Sequence, residues 1–303
     1  MSSARIIKKS LRWWSKWKSA SSAGEGVLAK SRRDRPQLRM PWSACKTNLN
    51  DDHRVHLMQE PQKVRINKLL SQAGVASRRE AEKLIHAGSV ILNGKTVTEP
   101  GQTMLPGTDH LTVEGRKIRF HQAPKTKVYA LYKPRNCITS LNDPEGRRTV
   151  KDFFPCDAGR LFPVGRLDYD AEGLLLLTND GMLAHRLMHP NHKVWKSYFV
   201  KVKGMVSEQV LRTLRKGPKI SGRNHQPLRV KSLHTVNDKM WLEVSLREGS
   251  NQQIKKMFLE SGHRVLKIKR FKIGRVELGD LAPGSSRILT SEELEELSRE
   301  TDG

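Results

Sequence analysis

Three cysteines in 303 residues are too few and too scattered to organise a fold. Cys45, Cys137 and Cys156 are far apart and form no CxxC pair and no disulfide framework. Free thiols fit a reducing compartment best. Long apolar runs are also missing. No stretch approaches the roughly 18–20 apolar residues of a membrane span, or the roughly 7–15 of a secretory signal core. Acidic residues are scarce against basic ones: 31 Asp+Glu face 56 Lys+Arg, a formal net charge of +25. Such an excess says nothing of fold but favours a polyanionic partner, with nucleic acid the commonest. A hydrophobic fraction of 36 % is low for one compact body and predicts a polar extension beside a folded part.

That extension is residues 1–60. MSSARIIKKSLRWWSKWKSASSAGEGVLAKSRRDR is rich in Ser, Lys and Arg and nearly free of acids. Two readings stand: an organelle transit peptide, or a disordered basic arm that binds RNA through charge. Trp13, Trp14 and Trp17 on a basic, weakly amphipathic stretch suit either. The compartment follows from that choice: mitochondrion or plastid for a transit peptide, bacterial-type cytoplasm otherwise.

From residue 62 the texture changes. Ile66, Leu69 and Leu70 share one helical face, and Gly74 stands where a helix end takes a left-handed residue. Ser77 and Glu80 form a capping box that opens a second helix carrying Arg78, Arg79 and Lys83. SVILNGKTV reads as two strands about an Asn-Gly turn. Helix, turn, basic helix and hairpin resemble the small RNA-binding domain named after ribosomal small-subunit protein four. The resemblance spans 62–120 and implies that Arg78, Arg79 and Lys83 contact RNA. HQAPKTK at 121–127 reads as a linker.

From 128 strands and helices follow without regular βαβ alternation, which predicts an α+β class: a small N-terminal α/β RNA-binding domain, then a mixed, largely antiparallel sheet flanked by helices. VYALYKP, GLLLLT, KSYFVKVKG, MWLEVSL and VLKIKRFKIG read as strands, the last as a pair; MLAHRLMH, VSEQVLRTLRKG and NQQIKKMFLESG read as helices. The catalytic body is expected over 128–291. SEELEELSRE, in the acidic tail at 292–303, is expected to be a short exposed helix.

Asp168 precedes the strongest apolar run, Leu174 to Leu177. A carboxylate at the edge of a core must be neutralised or used. By spacing alone a structural salt bridge, with Arg166 or a later basic residue, is the favoured reading. Tyr198 alone reads as a core strand residue. Asp170 is expected to face solvent or cap the loop, and Asp180 to belong to a turn. His185 and His189 have the spacing of a zinc helix but lack the glutamate of HExxH, and Pro190 ends the helix; no metal is expected.

GRLDYDAEGLLLLTNDG at 165–181 resembles the signature of the RsuA/RluB-type ribosomal RNA pseudouridine synthases, which isomerise uridine. YKPRNCITSLNDPEGRRTV, LMHP, KSYFVKV and EGSNQQIKKMF follow the family's order, and NDPEGRRTV leans towards the large-subunit branch. The resemblance covers about 62–290. It implies that Asp168 is the catalytic carboxylate, that Lys255 is its cationic partner where relatives commonly carry arginine, and that Tyr198 stacks on the uracil. Lys256 remains an alternative to Lys255. Arg166, Lys133, Asn251, Gln253 and Lys256 are implied RNA contacts. Ala171 replaces a hydroxyl residue, and Ser250 and Gln252 more basic ones. Isomerisation implies no cofactor. Ribosomal RNA or a pre-ribosomal particle is the expected partner, with no membrane, and the chain is expected to be a monomer. A non-catalytic ribosome-assembly factor that keeps the fold is the alternative; a membrane-surface protein is a third class, motivated by the arm alone.

Overall fold

The computed structural model describes residues 63–120, 125–154, 160–220 and 222–302. The expectations for residues 1–60, Trp13, Trp14, Trp17, Cys45 and Cys156 lie outside them.

The first body starts with β1 (Val64–Arg65), α1 (Ile66–Gln72) and α2 (Arg78–His86). The short strands β2 (Val90–Leu92), β3 (Lys95–Thr96), β4 (Thr103–Met104), β5 (Leu111–Val113) and β6 (Arg116–Ile118) complete it. The local signals act as expected. Ser77 accepts from the Glu80 amide at 3.2 Å while Glu80 accepts from the Ser77 amide at 2.7 Å. Asn93 and Gly94 both take positive φ, at 50° and 81°, as a tight hairpin turn requires. Ile66, Leu70, Ile85, Val90 and Leu111 form a separate small core.

The larger body begins with β7 (Val128–Lys133), β8 (Phe162–Val164) and β9 (Glu172–Thr178). α3 (Gly181–Met188), β10 (Lys196–Lys203) and α4 (Glu208–Lys216) come next. The strands β11 (Lys219–Ile220), β12 (Arg223–Asn224), β13 (Arg229–Thr235) and β14 (Lys239–Leu246) lead to α5 (Gln253–Glu260). β15 (Val265–Ile273), β16 (Val276–Glu277), β17 (Ser286–Ile288) and α6 (Ser291–Asp302) end the chain.

Among the described residues its main sheet runs β13-β14-β10-β15-β9-β7-β17, with β8 beside β9 and β16 beside β15. All pairings in it are antiparallel except β9 with β15. β9 lies between β7 and β15 and is buried on both faces, hence its unbroken leucine run. Leu175 and Leu177 share one face with Val200, Val244 and Ile268, packed with Leu211 and Leu214 of α4 and Met257 and Phe258 of α5.

Three expectations are corrected. VLKIKRFKI is one long strand, not a pair, because β10 spans it. α6 is not simply exposed: Leu297 is fully buried, so the acidic helix docks by an apolar stripe. Asp180 is the N-cap of α3, accepting from the amides of Met182 and Leu183.

Candidate active site

A single row of residues crosses the sheet where the leucine strand begins. Lys133 on β7 lies opposite Gly173 on β9, Gly173 opposite Arg270 on β15, and Arg270 opposite Tyr198 on β10. Directly opposed residues point to the same face of a sheet, so this row is the floor of one site. Gly173 is required here. Its φ is +110°, and a Cβ there would stand 2.1 Å from the Arg270 carbonyl oxygen.

The loop between β8 and β9 carries Asp168 over that floor, and the YKPRNCIT segment holds its backbone. Lys133 is fully buried, and its Nζ donates to the carbonyls of Pro134 (3.0 Å), Asp168 (3.0 Å) and Ala171 (2.9 Å). The Asn136 amide donates to the Tyr169 carbonyl at 2.8 Å, and Arg135 Nε to the Asp170 carbonyl at 3.1 Å. The Thr139 hydroxyl donates to the Leu167 carbonyl at 2.7 Å. Leu167 and Ala171 are buried in the main core. Backbone bonds from one side and apolar anchors below fix the loop, as a reactive side chain needs.

Lys255, in the first turn of α5, meets this loop. Its Nζ lies 3.4 Å from Asp168 Oδ2 and donates to Asp170 Oδ1 at 2.7 Å. One cation is therefore shared by two carboxylates. Burial acts to lower the Lys255 ammonium, but the bond to Asp170 and the charges of both aspartates outweigh it and raise it. Burial likewise acts against the Asp170 carboxylate, and Lys255 overcomes it, holding Asp170 below the ordinary carboxylate value. Asp170 is thus a partner in the site rather than a residue that only caps the loop or faces water.

The α5 approach is braced by buried polar groups. Gln253 is 4 % exposed and donates to Glu248 Oε1 at 2.5 Å, and His225 Nδ1 sits 2.8 Å from the same oxygen. Gln253 Oε1 accepts from the Ser250 amide at 3.1 Å.

The expected residues therefore divide. The structure brings together Asp168 and Lys255 and seats Tyr198, half-buried, in the row beneath. Arg166, Asn251 and Lys256 are exposed, as are Arg78, Arg79 and Lys83 on α2. Lys256 has no bond to Asp168; Lys255 does. Lys133 and Gln253 are buried, and their side chains bond to the protein's own groups. Sequence reasoning missed Arg270, which is 4 % exposed. A signal was there: in LKIKRFKI it shares the inward parity of Ile268. Among the described residues no group of three His, Cys, Asp or Glu is arranged to hold a metal. The rings of His185 and His189 lie 5.1 Å apart, tilted by 33°.

A carboxylate lies against a cation, and the loop that carries it is held by Lys133, a member of the row that also holds Tyr198 and Arg270. Comparison with known proteins decides the family. Residues 127–260 match the RNA pseudouridylate synthase family, and residues 64–109 match the S4 domain. The chain is 41 % identical over 235 residues to the ribosomal large subunit pseudouridine synthase B of Bacillus subtilis (strain 168), covering 77 % of this chain and 95 % of that one. The chain belongs to the RNA pseudouridine synthases. An uncharacterized RNA pseudouridine synthase of Aquifex aeolicus (strain VF5) is 40 % identical, over 77 % of this chain and 93 % of its own. A crystal structure of a pseudouridylate synthase superposes with a TM-score of 0.56 at 30 % identity, over 77 % of this chain and 99 % of that one. This synthase is accordingly an enzyme with an N-terminal S4 domain. No helix among its described residues is long and apolar enough to cross a membrane.

Proposed function

We propose that this synthase converts a uridine of large-subunit ribosomal RNA to pseudouridine, with Asp168 as the catalytic carboxylate. The observation that carries the reading is the Asp168–Lys255 approach at 3.4 Å on a loop held by Lys133. The large-subunit assignment is supported by the printed name of the Bacillus relative.

In the reaction the N1–C1′ bond breaks, the uracil turns, and C5 joins C1′. Asp168 faces the electron-poor C1′. Lys255 sets a positive charge 3.4 Å from Asp168 Oδ2, and Asp170 holds Lys255 in place. Lysine gives this contact a point charge rather than the two-pronged fork of arginine. Tyr198 is the face against which the uracil stacks. The target nucleotide must leave its helix, at a cost of a few kcal/mol. Arg166, Asn251 and Lys256, exposed around the mouth, offset part of that cost through the RNA strand. Arg78, Arg79 and Lys83 grip phosphates on the S4 domain.

The test is Asp168→Asn. Turnover is expected to vanish while RNA affinity stays within about threefold of wild type, roughly 0.6 kcal/mol. Loss of binding instead would make Asp168 a structural residue.

A further inference from the structure

Arg270 is a buried charge with an unused donor. It is 4 % exposed, and its Nε donates to the Leu174 carbonyl at 2.7 Å. Its Nη2 is buried and has no hydrogen-bond partner. No carboxylate among the described residues pairs with it; its guanidinium carbon instead stands 6.0 Å from the centre of the Tyr198 ring. Buried guanidinium groups are nearly always satisfied, and one left short is costly. Here the shortfall is at the floor of the reactive site, one strand from the tyrosine. A second cation lies close by: burial, then the charge of Arg270, pulls Lys196 down to about 8. The floor beside Tyr198 therefore carries two basic side chains, and Arg270 Nη2 has no acceptor there.

We propose that Arg270 reads and stabilises the uracil itself, its Nη2 donating to a carbonyl oxygen of the extruded base. The proposal rests on the reaction given above. Depth selects the base over the backbone. The base is the part of a flipped nucleotide that enters furthest, whereas its phosphates stay at the rim near Arg166 and Lys256. Chemistry gives the contact a catalytic use. When N1–C1′ breaks, the bonding pair goes to N1 and spreads onto O2 and O4. A fixed guanidinium on one of those oxygens opposes that charge where it develops. C5 then joins C1′, the proton on C5 leaves to a base, and N1 gains a proton. Uridine and pseudouridine are isomers, so no oxidant or reductant is needed.

The experiment uses the full-length enzyme and a synthetic rRNA hairpin carrying the uridine mapped for wild type. Single-turnover rates are compared for wild type, Arg270→Gln and Arg270→Lys, on hairpins with uridine, 2-thiouridine or 4-thiouridine at the target. Sulfur is a poor acceptor. One thio-substitution is expected to slow wild type at least tenfold and to add nothing to Arg270→Gln, whose own loss should exceed a hundredfold with RNA affinity within threefold. Arg270→Lys should fall between. Losses that multiply independently for both thio-bases would overturn the proposal. So would wild type accepting both at the unmodified rate, an outcome that needs no variant to fold. Coupling to a methylphosphonate beside the target instead would assign Arg270 to the backbone and reject the base contact. Failure of wild type to form pseudouridine in any rRNA would remove the underlying reaction, and it would be seen before any variant is made.

Discussion

Lys255 stands between two aspartates at unequal distances, 2.7 Å from Asp170 and 3.4 Å from Asp168. Asp170 is about half exposed, so its bond is screened by water and worth little in stability. Its use is positional. Asp170→Asn should lower turnover by less than about tenfold, under 1.4 kcal/mol of barrier, with no change in RNA affinity. Lys255→Met should cost far more, and steady-state kinetics with the same RNA separates the two. The sign of the pH effect follows from the depressed carboxylate. The contribution of Asp170 is present above the unfolded carboxylate value and is lost only as pH falls through a lower folded one. A melting difference between wild type and Asp170→Asn should therefore persist at pH 5 and shrink below about pH 4. At this scale sequence was a partial guide. Asp168 and Lys255 stand in long family motifs, so resemblance located them. Asp170 sits in an irregular loop, where no periodicity says which way a side chain points. Lys133 and Gln253 also stand in motifs, but their burial was not legible there, since a motif does not tell a buried brace from a surface contact.

The β8–β9 loop works only because neighbouring strands hold it. Lys133→Met would leave three carbonyls without their shared donor, at a cost of about 3 kcal/mol in denaturant unfolding and a loss of turnover through a displaced Asp168. Burial pulls the Lys133 ammonium down to about 8, against the charges of Cys137, Asp168, Asp170 and Glu172. Between about pH 8 and 10.5 the unfolded chain binds the proton more than the native state does, so stability rises with pH there. The advantage of wild type over Lys133→Met should grow across that window; a constant difference would mean that burial does not perturb this lysine. Gly173→Ala tests the floor itself. A Cβ 2.1 Å from the Arg270 carbonyl must push β9 from β15, so a loss of 3 kcal/mol or more is expected. Gly165→Ala, also at positive φ but with Met188 Cγ 3.9 Å away, should cost only about 1–2 kcal/mol. Element types were legible in sequence: the capping box, the Asn-Gly hairpin and the leucine strand all form where local chemistry placed them. The transverse row was not. It depends on the parallel pairing of β9 with β15, nearly a hundred residues apart, which no local pattern encodes.

Across the whole molecule the basic excess and the fold meet on RNA. Arg160, ahead of β8, donates to the Ser71 and Ala76 carbonyls at 3.0 and 2.7 Å, tying the turn between α1 and α2 to the catalytic body. That places the exposed Arg78, Arg79 and Lys83 on an element attached to the site-bearing body. Replacing all three with alanine should weaken rRNA binding uniformly and reduce the slope of log affinity against log salt by about 2–3, with the melting temperature little changed. An unchanged slope would remove these residues from the phosphate contacts. Composition made the polyanionic partner legible, and motif order made the family legible. The docking of α6 was hidden because its stripe is short and its charge conspicuous. The central claim is that Asp168 performs the chemistry on ribosomal RNA. It is tested most directly by mapping pseudouridine in large- and small-subunit rRNA after incubation with wild type and with Asp168→Ala. A new pseudouridine in large-subunit rRNA that requires Asp168 is the predicted result. Tight, salt-sensitive binding with no new pseudouridine in either RNA would contradict it and leave a ribosome-assembly factor built on a synthase fold.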